Sequence, residues 1–504
     1  MSSYWIESTK NLEKDYPRLT KDISVDVCIV GAGLVGITSA YYLKDSNLKV
    51  AIIERKNSVC SHVSGHSTAK ITSQHNLFYN YLINSYGEDF AKDYLDANQE
   101  AVQNIKDIIE KENIDCDFSN QDSYVYAYSK EELSNIRREV NAVHSLGFPC
   151  EFVDKLPLPI DCLGAIKFSN QGQFNPRKYA FALCDIITKK GIEIYTNTVA
   201  TKIEKTDDDE YIIYSDTNSI RAKHVILATH YPIVNFPGFY FLKMYQSMSY
   251  AIAVDTKCDL PEGMYINSEI PTYSFRTTPY QDKKLLIVVG CDHKTGEKIY
   301  LEDAYKILEN KAKELYPDSE VLFKWCTEDC ISLDKIPYIG DFSSIMPNLY
   351  VATGFKKWGI SSSNLAARII TNKILGKPNR YEYVFKATRL EPIKNREELG
   401  NMIKESMYSL VINKLKDSPD TLKDVNNDEG KIVEIDNQKV GVYRDKNGEY
   451  FFIKPVCAHL GCELSFNNLE KTWDCPCHGS RYDIHGKVIS EPAIGDLEKI
   501  HDLE

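Results

Sequence analysis

Four cysteines and two histidines sit close together near the C-terminal end of the chain. VCAHLGC contributes Cys457, His459 and Cys462; DCPCHGS contributes Cys475, Cys477 and His478. Thiolate and imidazole groups ligate zinc and iron–sulfur clusters. A Cys₂His₂ set suits tetrahedral zinc, but zinc fingers keep their cysteines together and their histidines together. Here each box carries one outer cysteine, one histidine and a second cysteine. Short strands flank the boxes (KIVEI, KVGVYRD, EYFFIK), which predicts a small all-β module to hold them.

A different signal opens the chain. VDVCIV, residues 25–30, reads as a buried strand, and GAGLVG follows it with Gly31, Gly33 and Gly36. A helical pattern then begins at Leu34 and Val35. A second strand, VAII, ends at Glu54, with Arg55 next. Strand, glycine turn, helix, strand and acid make a dinucleotide-binding unit. The glycines admit a pyrophosphate close to the backbone, the helix N-terminus offers free N–H groups, and Glu54 can take a ribose diol.

Two further stretches point to the same cofactor region. Residues 54–76 are rich in Gly, Ser, Thr and His and include Gly65, His66, Ser67, Thr68, Ala69 and Lys70. Residues 348–376 read as a strand, a turn with Gly354, Trp358 and Gly359, and a long helix whose N-terminus could face a flavin or an anion. Candidates for the chemistry are Lys70, Trp358, and Arg276 with Tyr273 in TYSFRTTPY; an arginine there could clamp a substrate carboxylate. No Ser/His/Asp set has supporting context, and flavin chemistry needs none.

VDVCIVGAGLVG, SGHSTAKIT, QFNPRKYAFAL, HVILATHYPI, DKIPYIG and NLYVATGFKKWGISS occur in family order over residues 1–380. That stretch resembles the FAD-dependent oxidoreductases of the D-amino-acid oxidase type, near glycine oxidase and gamma-glutamylputrescine oxidoreductase-like members. The resemblance implies FAD as cofactor, with Val199 near the adenine, Ala228 near the dinucleotide and Gly354 to Gly359 near the flavin ring. Some relatives attach FAD covalently near the position of His66. Residues 430–504 resemble the Rieske domains. That resemblance implies a [2Fe–2S] cluster held by Cys457, His459, Cys475 and His478, a Cys462–Cys477 disulfide tying the two loops, and Ser480 and Tyr482 as hydrogen-bonding neighbours of the cluster. SEPAIG stands where the family often has Gly-Pro-Ala-Pro in its covering loop.

The expected fold class is α/β plus all-β: a Rossmann-like FAD-binding domain with an antiparallel substrate domain, a linker helix and a C-terminal Rieske β-domain. Residues 1–380 form the oxidoreductase, with nucleotide-binding parts at about 22–80, 165–232 and 330–380. Its substrate-domain parts lie at about 81–164 and 233–329. Residues 381–424 are read as a helical connector whose apolar face (Met402, Met407, Leu410, Ile412, Leu415) docks on a neighbour, and 425–504 as the Rieske domain.

The chain has 504 residues, a formal net charge of −12 and 26% charged residues. Such acidity argues against a nucleic-acid partner. No apolar run is long enough to span a membrane and no secretory pattern opens the chain, so a cytoplasmic location is expected. Ten of the 14 cysteines are scattered singly, as in a reduced protein.

A flavin takes two electrons as hydride and a Rieske cluster carries one at a time, at roughly −150 to +300 mV. The expected function is oxidation of an amine or amino acid by FAD, with electrons passing to the cluster and on to an unknown acceptor or redox protein. That partner is expected at an exposed imidazole edge formed by His459 and His478. The alternatives are a reductase passing electrons from a nicotinamide donor, for which no second GxGxxG is present, or from another carrier through FAD and the cluster to a partner, and a redox sensor. A hydroxylating Rieske oxygenase would need a further two-histidine-one-carboxylate set that the chain does not offer.

Overall fold

The computed structural model describes residues 2–297, 303–389, 400 and 420–500. The proposed apolar face of the connector helix lies outside the described residues.

Three parts position the sites. The first is an eight-stranded sheet ordered Tyr338–Ser343, Met346–Thr353, Ser219–Leu227, Ile23–Val30, Val50–Ile53 and Glu193–Tyr195, with an antiparallel pair, Lys202–Lys205 and Tyr211–Tyr214, beside Ser219–Leu227. Its central strands are parallel, with Val30 level with both Ile53 and Leu227, and Leu227 level with Val351. This register brings Gly31, Glu54 and Ala228 to one carboxyl edge, where open α/β sheets bind their ligands. The strand Val50–Ile53 is buried at all four positions, as a strand covered on both faces must be.

The second part is a nine-stranded sheet, ordered Glu320–Ser332, Met244–Asp255, Lys283–Lys294, Ser274–Tyr280, Met264–Asn267, Ser119–Ala127, Gly164–Gln173 and Lys70–Ile71, with Glu151–Val153 on its edge. It is antiparallel except where Met264–Asn267 runs parallel to Ser119–Ala127. The strand Gly164–Gln173, placed by sequence mostly with the nucleotide-binding parts, belongs here instead. Its hydrogen bonds go to Ser119–Ala127 over nearly its full length. Lys70–Ile71 joins the same sheet, so the flavin-loop segment bridges the two layers.

The third part is the small β-module, a three-stranded and a four-stranded sheet between residues 429 and 490. Two of its loops have the same backbone design. In one, Cys457 N donates to Cys462 O at 2.8 Å and Gly461 N to Cys457 O at 2.9 Å. In the other, Cys475 N donates to Ser480 O at 2.8 Å and Gly479 N to Cys475 O at 2.9 Å. Gly461 (φ 80°) and Gly479 (φ 83°) supply the left-handed turn that each loop requires.

Candidate functional site

A cavity of about 1120 Å³ opens at the carboxyl edge of the first sheet and runs under the second. It is larger than the usual small-ligand pocket of about 300–1,000 Å³, as a dinucleotide plus a substrate requires. Gly31, Gly33, Leu34, Val35, Glu54, Arg55, Ser67, Thr68, Lys70, Val199, Ala228, Trp358 and Gly359 all line it. The turn is a cradle that side chains would fill. A Cβ on Gly31 (φ 107°) would lie 2.5 Å from Ala228 O, and one on Gly36 would lie 2.0 Å from Gly31 O. The helix Leu34–Leu43 starts at Gly33, which provides no side-chain cap; Leu34 N donates to Ser64 Oγ at 3.2 Å, and the remaining N–H groups of the first turn suit an anion. Glu54 is half-buried and accepts the N–H groups of Ala32 and Lys56 at 2.8 Å each. These features fit FAD.

Several expected cofactor contacts stand behind the cavity wall. Gly36 packs the helix onto the turn, and Gly65 faces Cys60 O, where a Cβ would sit at 2.4 Å. The His66 ring turns back, its Nδ1 2.8 Å from His62 O. Gly354 (φ 73°) makes the turn before Trp358. Ala69 is buried, and its carbonyl is taken by Arg276.

Arg276 departs most from expectation. It is 1% exposed and does not line the cavity. Its guanidinium donates to Thr277 O at 3.0 Å, Thr68 O at 2.9 Å and Ala69 O at 2.8 Å, and lies over the Trp5 ring. It is no carboxylate clamp; it fastens the flavin loop, as an arginine bonded to carbonyls in a buried site must. Tyr273 is also corrected. Strand alternation sends its ring away from the cavity, into a hydrophobic cluster and beneath Lys311.

Lys70 does face the cavity. Its ammonium donates to Tyr265 O at 3.2 Å and to the Ser274 hydroxyl, and burial, then the Arg276 charge, pulls its pKa down to about 7. Trp358 stacks on His75 at 5.0 Å between ring centres. The sequence reading missed two tryptophans that hold the same loop: Trp5 Nε1 donates to Ser67 O at 2.7 Å and Trp325 Nε1 to His66 O at 2.9 Å. Nothing local marks them, because the loop lies far from both in sequence.

In the β-module, Cys462 and Cys477 form a disulfide. The sulfurs of Cys462, Cys475 and Cys477 lie close enough to suggest one metal centre, but two of the three are spent in that bond. The free donors are Cys457 and Cys475, both buried, with His459 and His478. The two imidazoles meet edge to face at 5.0 Å, and Nδ1 of each is buried without a hydrogen-bond partner. Burial holds both rings neutral, pulling their pKa values down to about 4 and about 3. The Cys475 thiol and then the Tyr482 hydroxyl favour the Cys457 thiolate, and that anion pushes the Cys475 thiol up. Tyr482 OH lies 3.3 Å from Cys457 Sγ, and Ser480 Oγ accepts from Ala493 N at 3.1 Å. Two thiolate-forming sulfurs and two orphaned imidazole nitrogens are the donor set of a Rieske cluster.

The expected exposed histidine edge is not found. His478 is 3% exposed and meets the Phe241 ring at 5.8 Å, while His459 Nε2 lies 2.7 Å from Asn235 Oδ1. Both partners belong to the oxidoreductase part, which therefore docks on the cluster loops. Further contacts join the two parts. Arg481 ion-pairs with Glu328 and Asp474, and Ser490 Oγ donates to Glu328 at 3.0 Å. Arg55 pairs with Glu491 at 2.6 Å, and Gln246 Nε2 donates to Glu491 O at 2.7 Å. Arg55, expected on the cofactor, is thus shared with the covering loop, and Glu491 and Ile494 of that loop line the FAD cavity.

The chain matches the family model "FAD dependent oxidoreductase" over residues 26–373 and "Rieske [2Fe-2S] domain" over residues 420–501. It belongs to the FAD-dependent oxidoreductase family and carries a C-terminal Rieske domain, so FAD and a [2Fe–2S] cluster are its cofactors. It is 35% identical over 498 residues to the putative Rieske 2Fe-2S iron-sulfur protein YhfW of Bacillus subtilis, covering 99% of this chain and 97% of that one. Identity to the gamma-glutamylputrescine oxidoreductase of Escherichia coli is 22%, covering 76% of this chain and 90% of that one. Among solved structures, glycine oxidase from Geobacillus kaustophilus shares the fold with a TM-score of 0.62 at 20% identity, covering 73% of this chain and 99% of that one. Among the described residues no helix is long and apolar enough to cross a membrane.

Proposed function

We propose that this protein oxidises an amine or amino acid at FAD and passes the electrons, one at a time, through its own Rieske cluster to an outside acceptor. One observation carries the reading. The strands Met244–Asp255 and Glu320–Ser332 form an antiparallel ribbon in which Ser247 is level with Asp329 and Ser249 with Thr327. One face lines the FAD cavity through Tyr245, Ser247, Ser249, Thr327, Asp329 and Ile331. The other face meets the Rieske part: Gln246 touches Gly479, Tyr250 accepts from Asn467 and Glu328 holds Arg481. Successive strand residues point to opposite faces, so a single layer of backbone separates the two redox compartments.

FAD would be held by the Gly31–Gly36 turn, Glu54, Val199, Ala228, the Ser67–Lys70 loop and the Trp358–Gly359 helix start. The cluster would be held by Cys457, Cys475, His459 and His478. FAD supplies the hydride acceptor and the cluster supplies single-electron transport. The chain's own residues bind, orient and exclude water. Trp358 and His75 wall the cavity with a stacked pair, and Lys70 sets against it an amine that burial brings into titration near pH 7. The oxidoreductase part is taken as residues 1–380 and the Rieske part as 425–504, within the cytoplasm.

The test is anaerobic titration with a panel of amines and N-methyl amino acids, read by absorption and EPR. Bleaching of the flavin followed by the EPR signal of a reduced Rieske cluster is the expected result. Rapid cluster reduction by NADH, with no amine active, would favour the reductase reading and overturn this one.

A further inference from the structure

Most carboxylates facing the cavity are already committed. Glu54 accepts two backbone N–H groups, and Glu139 accepts those of Phe78, Tyr79 and Asn80. Glu491 pairs with Arg55 at 2.6 Å. Asp292 takes the Lys357 ammonium at 2.7 Å and the Ser249 hydroxyl at 2.6 Å. Glu132 accepts from Asn135, and Glu297 is exposed. Asp329 differs. It lies on the cavity face of the ribbon, level with Ser247, and its carboxylate makes no ion pair among the described residues. The segment Phe355–Gly359, which leads into the helix assigned to the flavin, packs beside it: Lys356 N donates to Cys330 O at 3.0 Å.

Resting on the amine-oxidising reading, we propose that Asp329 is the carboxylate that receives the substrate's ammonium group and takes its proton. An amine reaches the enzyme as its ammonium ion at neutral pH, and the nitrogen lone pair must be freed before hydride can leave. The N–H bond breaks and the proton passes to Asp329, forming its neutral acid. The freed lone pair would then form the C=N bond as the α-C–H bond breaks, its electron pair leaving as hydride to the acceptor that FAD would supply. Water hydrolyses the product, and Asp329 returns its proton to solvent.

The surroundings suit the task. Burial raises the Asp329 carboxyl to about 7, with Lys357 from the Phe355–Gly359 segment opposing and Asp292 from the neighbouring strand and Glu328 from its own adding to the rise. A base near the working pH is both available and strong enough to accept a proton. The carboxylate form is present above this value and lost as pH falls through it. The cavity walls also hold Lys294 and His293 from the Lys283–Lys294 strand. The Lys357 ammonium pairs with Asp292, and the Lys357 backbone N–H donates to the Asp329 carboxylate, which keeps further acceptor capacity for a cation from the substrate.

The test uses the FAD- and cluster-loaded protein, with the visible spectrum confirming both cofactors in each variant. Butyltrimethylammonium has the charge but no lone pair, so it reports binding without turnover. Calorimetry at pH 8 is expected to give at least tenfold weaker binding to Asp329→Asn, recovery to within about threefold in Asp329→Glu, and weaker wild-type binding below pH 7. Equal affinity in wild type and Asp329→Asn, or no binding to either, overturns the proposal. With a reactive amine, flavin bleaching by the wild type is expected to rise with pH to a plateau above about 7. Asp329→Asn is expected to lose that limb and bleach about 10²–10⁴-fold more slowly, the range of a lost general base. An unchanged rate and pH profile would likewise overturn it. A wild type bleached by no amine sinks the amine reading instead, and the cation affinities alone then decide the role of Asp329.

Discussion

Glu328→Ala is expected to leave flavin reduction by substrate within about twofold of wild type and to slow the following reduction of the cluster by two orders of magnitude or more. Glu328 stands on the ribbon's rear face and does not line the cavity. It is 4% exposed and holds Arg481, which is 4% exposed and also bonds Asp474 at 3.1 Å and Thr472 at 3.1 Å. Arg481 lies between Ser480 and Tyr482, the two side chains beside the cluster ligands. Removing one partner of a buried pair typically costs about 3–5 kcal/mol when the other charge is left uncompensated; here Asp474 stays on Arg481, so the cost falls on the contact between the two parts rather than on the arginine's own loop. The docked arrangement is the cheapest structure to give up, since each part keeps its own core. Glu328→Gln, which retains an oxygen for Arg481 and a group for Ser490, is expected to slow cluster reduction less. Stopped-flow absorption at flavin and cluster wavelengths separates the two steps. A parallel fall in both rates in Glu328→Ala would show general damage to the cavity rather than loss of docking.

Cys475→Ala has the second large effect. Cys475 is fully buried and is held by the loop bond from its own N–H to Ser480 O. In the proposed ligand set its loss leaves one iron a ligand short, and the cluster is expected to be absent by absorption, EPR and iron content. FAD content is expected to remain at one per chain, since no FAD-lining group belongs to this loop. Substrate should still bleach the flavin, while delivery to an external one-electron acceptor falls at least a hundredfold. Cys462→Ala makes the contrast. Its partner in the disulfide closes a 15-residue separation, a constraint worth about 3 kcal/mol in the chain-entropy account. That variant is expected to assemble a cluster that is lost on mild heating. A Cys475→Ala protein that keeps a Rieske EPR signal would remove Cys475 from the ligand set.

The cofactor identities were legible because their signals are local. Gly31 and Gly36 meet backbone oxygens at contact distance only in one turn geometry, and the spacing of that turn, with Gly33 between them, is written in six consecutive residues. The two Cys/His boxes are equally compact. What escaped the sequence depends on strands far apart in the chain. Arg276 reads as a clamp because its type suits one, yet burial turns it onto the carbonyls of residues 68 and 69. Gln246 and Glu328 are ordinary polar residues on amphipathic strands; only the pairing of those strands, which sets Gln246 level with Cys330 and Met248 level with Glu328, puts both on the Rieske-facing side. The covered histidine edge follows from Asn235, in a loop, and Phe241, in the single 3-10 turn Tyr240–Leu242, neither of which carries a periodic signal. Tyr273 and Ser274 show the smallest such difference: one residue along the strand decides between a hydrophobic cluster and the cavity.

In the proposed function electrons cross from FAD to the cluster inside one chain, through the ribbon. The most direct test of that crossing is anaerobic stopped-flow mixing of the oxidised protein with a reactive amine over a tenfold range of protein concentration. Flavin bleaching followed by cluster reduction, at a rate that does not change with protein concentration, is the predicted result. A cluster-reduction rate that rises in proportion to protein concentration would contradict it, because the electrons would then be passing between molecules.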